Sequence, residues 1–434
     1  MHRTKLTNDM NLEDFLDKSP VNFLAVKTIK EVLIASGYRE IKASDPLGVV
    51  KAGDKLFVTK NDSSLYAINV GTETMAEVGF KMICAHCDSP TFRIKPNAEI
   101  ACEGGLVKLN TELYGGAILS TWLDRPLSLA GRVILRGDDA LSPVTRLLHV
   151  KRALLTIPNL AIHFNRQVND GVMLSKQKDM LPILGFGMGE SKSGSYIKDI
   201  ICEELGCEAG EVLDYDLYLY DTTPASRVGM NGEFVQSGRL DDLSMVHAGL
   251  EALTATGTGR TTNVLAVFDN EETGSATKQG AGSPFLASIL ERIVTAQGGS
   301  REDFYRAIEK AFMISADNAH GWHPNYPEKM DLTNHPVMGG GPVIKYNASQ
   351  KYVSDALSAA VFMEICRKAG VPCQKFVNHS DVAGGSTLGN ILSGSIPLRG
   401  VDMGNAIWAM HSARETGSIA DHVYCIKAFT EFYA

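Results

Sequence analysis

Four short apolar runs recur along the chain, each closed by residues that ligate metals. Residues 78–85 lead into His86-Cys87-Asp88, and residues 263–268 lead into Asp269-Asn270-Glu271-Glu272. Residues 311–316 lead into Asp317-Asn318-Ala319-His320, and residues 396–401 lead through a short turn to Met410-His411-Ser412. Each run reads as a buried strand, and the carboxyl ends of strands are where open α/β sheets carry their active sites. Helical periodicity alternates with these strands. It covers 21–37 through Phe23, Leu24, Val26, Ile29, Val32 and Leu33, with Gly37 as the stop. It also covers 242–256 through Leu243, Val246, Leu250 and Leu253, and 355–369 through Leu357, Val361 and Ile365. Further strand-like pieces lie at 55–59 and 64–70.

From about residue 94 to residue 236 the texture changes to short β-type runs between glycine and polar turns, as at 127–138 and 214–220. Within this stretch, 173–195, which includes Lys176 and Lys178, has no clear period and reads as a mobile loop. Strand and helix alternate again after Gly238. The expected architecture is therefore α/β with a discontinuous catalytic domain, 1–93 and 238–434, and a β-rich insertion over 94–237.

A chain of 434 residues exceeds the usual reach of one hydrophobic core, in keeping with two domains. Its net charge of −8 offers no basic surface for nucleic acid or anionic membrane, so neither is expected as a partner. The opening residues Met1 to Asp9 lack the apolar core of a signal peptide, and no run approaches the ~20 apolar residues of a membrane span, so a cytoplasmic location is expected. Eight cysteines are too few for a disulfide scaffold, and Cys84, Cys102, Cys202 and Cys366 sit in apolar contexts typical of buried thiols. Cys84-Ala85-His86-Cys87 formally matches a redox or zinc-knuckle pair. It closes a strand instead of opening a helix, however, and Cys202 with Cys207 has the wrong spacing for a second pair.

Glu271 and Glu272 project in different directions, so one can bind a metal while the other moves a proton. His86 and Asp88, two apart in an extended segment, point to one side; either both ligate, or the aspartate orients the imidazole. Asp241 sits where a helix begins, and alone it would read as an N-cap. Taken with His86, Glu272, Asp317 and His411, it makes a set of two histidines and three carboxylates, suited to two zinc ions sharing one bridging aspartate. Such a mixed shell also accepts cobalt or manganese. Glu271 is then the natural general base for acyl transfer to water.

Five separated blocks carry a resemblance over essentially the whole chain. They are His86-Cys87-Asp88-Ser89-Pro90, Arg239-Leu240-Asp241, the run from Asp269 to Ser275, the run from Ser315 to Tyr326, and the run from Ala409 to Glu415. The chain resembles the aspartyl aminopeptidase family of metallopeptidases, M18, in its bacterial form. The resemblance implies that His86, Asp241 and Asp317 hold one zinc, that Asp241, Glu272 and His411 hold the other, and that Glu271 is the base, with Asp88 and His163 the other expected catalytic residues. It further implies that His163 reaches a neighbouring subunit's active site to help hold the substrate carbonyl, and that His320, Lys345 and Tyr352 contact substrate. The implied fold is a doubly wound zinc-peptidase domain with an inserted β-rich dimerisation domain. The implied assembly is a tetrahedral dodecamer built from dimers, acting on peptides. The glycine-rich segment 378–387 resembles the variant of some bacterial members and is read as bordering the substrate pocket, which leaves the preference for acidic N-terminal residues open. His247, His335 and His422 match no motif and are read as structural. Motif chemistry alone also suits an amidohydrolase acting on N-acyl amino acids, or a catalytically silent assembly scaffold.

Overall fold

A computed structural model describes residues 10–187 and 191–434. The opening residues 1–9, read above for want of a leader, and residues 188–190 of the lysine-rich loop lie outside that description. The chain divides into two compact units, one of residues 1–88, 225–410 and 415–434, the other of residues 89–224 and 411–414. The hairpin strands Ser226–Val228 and Phe234–Ser237 belong to the first unit because Phe234–Ser237 pairs with Glu415–Ser418.

The first unit is built on a nine-stranded mixed sheet. Its order is Arg39–Glu40, Lys55–Lys60, Ser64–Asn69, Thr262–Phe268, Phe80–His86, Phe312–Ala316, Arg399–Gly404, Val343–Tyr346 and Gln374–Val377. The four central strands, from Thr262–Phe268 to Arg399–Gly404, run parallel. They are apolar at nearly every position because both faces are covered. Ile83, Ala85, Leu265, Val267, Ile314 and Val401 pack on one side, against the helices Leu12–Lys18, Asn22–Ala35, Leu240–Ala255, Ala356–Ala369 and Ile419–Tyr433. Met82, Cys84, Val264, Ala266 and Met313 pack on the other, against Met75–Val78, Phe285–Ala296, Arg301–Lys310 and Leu388–Ser395. A small five-stranded sheet, Ser226–Val228, Phe234–Ser237, Glu415–Ser418, Ala406–Trp408 and Ala319–His320, lies in the same unit.

Register brings the ends of the parallel strands level. Phe268 pairs with His86, Ser315 with Cys84, and Ala316 with Met403. His86, Asp317 and the turn after Phe268 therefore leave the sheet at one edge.

The second unit carries a six-stranded antiparallel sheet, ordered Val144–His149, Leu127–Leu135, Val212–Asp221, Thr91–Ala101, Leu106–Tyr114 and Ile183–Phe186. Its core includes Phe92, Leu109, Trp122, Leu129, Leu148 and Leu217. No helix among the described residues is long and apolar enough to cross a membrane.

Several elements differ from the sequence expectation. The strand expected from residue 78 begins at Phe80, because Met75–Val78 is helical and Gly79 takes φ 76° to turn the chain. Leu357 and Val361, expected on a buried stripe, are exposed; the helix turns Ala359, Phe362 and Cys366 to the core instead. Inside the lysine-rich loop, Ile183–Phe186 pairs as a strand with Leu106–Tyr114. The helix Tyr196–Leu205 follows, with Ser195 as its N-cap and Gly206 in the left-handed conformation at its end, a signal present in the sequence and passed over. All eight cysteines are free; Cys84 and Cys366 are buried as expected, whereas Cys102 and Cys202 are partly exposed. Before His411 the chain makes a second strand, Ala406–Trp408, so that histidine does not follow directly on a strand of the large sheet.

The strand edge is tightly built where it meets Asp317. The Asp317 amide donates to Met403 O at 2.9 Å, and a Cβ on Gly404 would fall 2.0 Å from the Asp317 carbonyl oxygen. Gly404→Ala is therefore expected to cost about 2 kcal/mol or more of unfolding free energy. By contrast, Gly394→Ala, in an exposed helical position with nothing within 4 Å of the added carbon, should gain up to ~1 kcal/mol. Urea unfolding of both variants beside the parent checks the contrast, and equal midpoints would show that the strand edge has slack.

Candidate metal centre

The strand Phe80–His86 delivers His86 to the edge of the sheet fully buried. Its backbone amide donates to Asp242 Oδ2 at 3.2 Å. Its Nδ1 lies 3.1 Å from the carbonyl oxygen of Asp88 and 3.4 Å from the Asp88 carboxylate. A carbonyl only accepts, so Nδ1 carries a proton and Nε2 is the nitrogen on which a metal would be taken. That nitrogen lies 3.7 Å from Asp241 Oδ1. An imidazole lone pair and a carboxylate in that relation repel unless a cation or a proton stands between them.

Asp88 has a second task. Its Oδ1 accepts from the amide of Glu271 at 3.1 Å and its Oδ2 from the amide of Glu272 at 3.2 Å. Both oxygens thus hold the turn Glu271–Thr273. Asn270 enters that turn at φ 61°, with its side-chain oxygen accepting from Thr277 and Gln279. Asp269 is buried beneath it, receiving Asn22 Nδ2 at 2.9 Å.

Asp241 is not a helix cap. Arg239 takes φ 64°, and Asp241 and Asp242 are non-helical, so the regular helix starts after them. The donor atoms of His86, Asp241, Asp242 and Asp317 lie within 4.8 Å of one another, and all four residues are buried. His86, Glu271 and Glu272 form a second such group. Within the first, Asp242 already accepts from the His86 amide and lies 3.4 Å from Asn318 Nδ2, which makes it part of the frame. Lys345, only 3% exposed, brings its Nζ to 3.5 Å from Asp317 Oδ1, donates to Asn318 O at 3.2 Å and lies over the Tyr352 ring at 5.3 Å.

The titration of these groups records the crowding. Burial raises Glu271 to about 8, with Asp317 and Asp88 pushing the same way against the pull of His86. Burial likewise raises Asp242 and Asp317, the latter in spite of Lys345. Asp269 is raised to about 7 by burial and then by Asp88. Burial opposes the charged form of His86, yet the Asp88 contact and the charges of Asp242 and Glu271 hold it well above its ordinary value. Lys345 is held above its ordinary value by Asp317 against burial. A set of buried oxygens and one nitrogen is the donor chemistry that fits a divalent ion such as zinc.

The remaining sequence-predicted residues have surroundings of their own. His320 is exposed, with its ring centroid 6.0 Å from that of Phe376. His163 is exposed in the second unit. His411 opens the short stretch that groups with that unit, where its Nδ1 donates to Gly116 O at 3.1 Å, leaving a lone pair on Nε2. His247 and His422 are buried and paired with each other at 2.9 Å. Asp242 and Asn318 were missed. Asp242 and Asn318 directly follow named candidates, but their partners lie far away in sequence, and no local spacing signals that.

The family model described as "Aminopeptidase I zinc metalloprotease (M18)" matches residues 15–433. The Clostridium novyi protein named "Probable M18 family aminopeptidase 2" is 51% identical over 432 residues, covering 100% of this chain and 99% of its own. The Clostridium acetobutylicum protein of the same name is 53% identical over 422 residues, 97% of each chain. A chain in a cryo-EM structure of the Ape4 and Nbr1 complex superposes with a TM-score of 0.93 at 32% identity, over 97% of this chain and 84% of that one. With the strand-edge cluster and these likenesses together, the chain belongs to the M18 family of zinc metallo-aminopeptidases, hydrolases that remove residues from peptide N-termini.

Proposed function

We propose that this chain is a two-zinc aminopeptidase in which Glu271 is the general base. The observation that carries the reading is the buried convergence of His86, Asp241 and Asp317 beside Glu271 and Glu272. His86, Asp241 and Asp317 would hold one zinc, and Asp241, Glu272 and His411 the other, with cobalt or manganese as alternatives. The five carboxylates of the two donor groups, set against Lys345, leave about four negative charges, which supports two dications over one. When bound, zinc supplies Lewis acidity at the scissile carbonyl.

Glu271 accepts a proton from the attacking water as its oxygen bonds to the carbonyl carbon, and delivers that proton to the amine nitrogen as the peptide C–N bond breaks. Asp88 keeps Glu271 in register through its backbone amide. Asp242 and Asp88 fix the two sides of His86. His320, Lys345 and Tyr352 are the proposed substrate contacts, with His163 supplied from a neighbouring subunit. Since Lys345 is already engaged by Asp317 and Asn318, an N-terminal Asp or Glu would have to share it, and acidic preference is an open specificity of the pocket.

The proposed organisation is a doubly wound catalytic domain on the first unit and an inserted dimerisation domain on the second, with the boundaries of those two units in place of 93/94 and 237/238. Helices on both faces of the large sheet support the first, and an antiparallel sheet supports the second. A homo-oligomer, proposed as a tetrahedral dodecamer of dimers in the cytoplasm, fits the exposed Leu160, Ile162 and Phe164 flanking His163, since neighbouring apolar side chains left on a surface mark contact sites.

Three outcomes follow. Zinc-loaded protein should hydrolyse unblocked Asp, Glu, Leu, Lys or Met aminoacyl substrates and leave their N-acetylated forms intact; cleavage of the acetylated set would make it an amidohydrolase. Glu271→Gln should keep its zinc, measured by mass spectrometry of the metal, while turnover drops by ~10²-fold or more. Unchanged turnover would remove Glu271 from the mechanism.

The third concerns pH. In metal-free protein, Glu271 and Asp269 bind protons more tightly folded than unfolded, and His86 acts in the same direction. Their contribution is fullest below about pH 4 and is lost as pH rises toward about 8. Calorimetry should find the melting temperature of chelated protein falling between about pH 5 and about pH 8, and a smaller change with zinc bound. Parallel profiles would place the pH dependence elsewhere.

A further inference from the structure

The amide joining Leu240 to Asp241 lies between the left-handed Arg239 and the first regular helical turn, where the backbone departs from helical geometry at Asp241 and Asp242. Two buried side chains from distant segments take its two ends. Glu415 Oε2 accepts from the Asp241 N–H at 3.0 Å, and Asn318 Nδ2 donates to the Leu240 carbonyl oxygen at 2.8 Å. Ser244 Oγ donates to the same carbonyl at 2.8 Å and lies 2.9 Å from Asn318 Nδ2. Glu415 and Asn318 are 1% and 2% exposed.

These contacts fix the plane of the peptide, and with it the direction in which the Asp241 side chain leaves the backbone. Asn318 also ties that plane to the other carboxylate of the cluster, because it directly follows Asp317 and its carbonyl accepts from Lys345. Glu415 opens the strand Glu415–Ser418, paired with Ser237 just before the Arg239 turn, so its reach to Asp241 is set by a short ladder and not by a loose loop. We infer that Glu415 and Asn318 are positioning residues for Asp241, holding the shared ligand by clamping both ends of one peptide group. This rests on reading Asp241 as a metal ligand.

The ordinary alternative is that the pair only satisfies buried backbone groups. That alternative predicts lost stability without lost affinity, so the two readings separate experimentally. Glu415→Ala and Asn318→Ala should each release zinc at ~10-fold or lower chelator concentration than the parent, within the range seen for partners of metal ligands, and lower kcat with little change in KM. Glu415→Gln, which keeps an oxygen acceptor of the same reach, should restore much of that affinity. Because both residues act on one peptide, the double alanine variant should cost less than the product of the single effects.

The test is zinc titration against a chelating dye, with melting temperature recorded in parallel and Asp241→Asn as reference. Should Asp241→Asn bind zinc like the parent, the ligand reading itself falls. Loss of zinc in Asp241→Asn combined with parental affinity in both alanine variants, whatever their melting temperatures, overturns the clamp. Asn318→Ser, which withdraws the donor from the Leu240 carbonyl with a smaller change of volume, carries the same test where an alanine variant does not fold.

Discussion

Carboxylates buried within reach of one another repel strongly in a medium that screens poorly, and a protein that gathers them must also supply what neutralises them. Asp241, Asp242 and Asp317 are gathered in this way at the edge of four parallel strands, with His86 among them. Lys345 is a resident cation at Asp317. The level register of Phe80–His86, Phe312–Ala316 and Arg399–Gly404 permits no retreat, since each strand is packed on both faces and locked by its neighbours. The charge is thus concentrated by packing that itself has nothing to do with charge.

Adjacent residues divide the labour. Asp88 orients His86 and clamps the glutamate turn, two positions after the residue it serves. Asp242 holds the His86 amide while Asp241 faces the cluster. Asn318 binds the Leu240 carbonyl while Asp317 faces Lys345. In extended or irregular backbone, successive side chains leave in different directions, so one residue can enter the cluster while its neighbour is built into the frame. Pairs such as Asp241-Asp242 and Asp317-Asn318 are the economical form of that arrangement, and a helix, whose neighbours diverge by about 100°, would need longer spacing to achieve it.

This division also explains what could be read from the chain. The strands bearing His86, Glu271 and Asp317 were legible because a strand buried on both faces leaves an apolar run, and residues of one chemistry closed each run. Glu271 and Glu272 were legible because their run is one of four closed in this way; alone, two acids there would read as a solvated turn. The frame was not legible: Asn318 answers to Leu240, Asp242 to His86 and Glu415 to Asp241, contacts between segments separated by 78, 156 and 174 positions. Spacing within a motif carries no trace of them. The stripe of Leu357 and Val361 misled for a related reason, since a period of apolar residues identifies a helix but not which of its faces meets the sheet, and the small Ser358 and Ala359 are what let that helix approach.

Protons and metal are alternatives at these donors. Without a metal, the raised values of Glu271 and His86 mean that the cluster holds protons at pH values where isolated groups would release them. Protonation is therefore the molecule's own way of lowering the repulsion, and each proton retained blocks a lone pair that a metal requires. Lys345 escapes this competition because its ammonium stays charged against burial, sustained by Asp317. A fixed cation stands at one side of the cluster and exchangeable protons at the other, where His86 Nε2 and the Asp241 carboxylate face each other at 3.7 Å. The clamp on the Leu240–Asp241 peptide stands at this same point, which is where a small displacement of one oxygen would matter most to the charge balance of the whole edge.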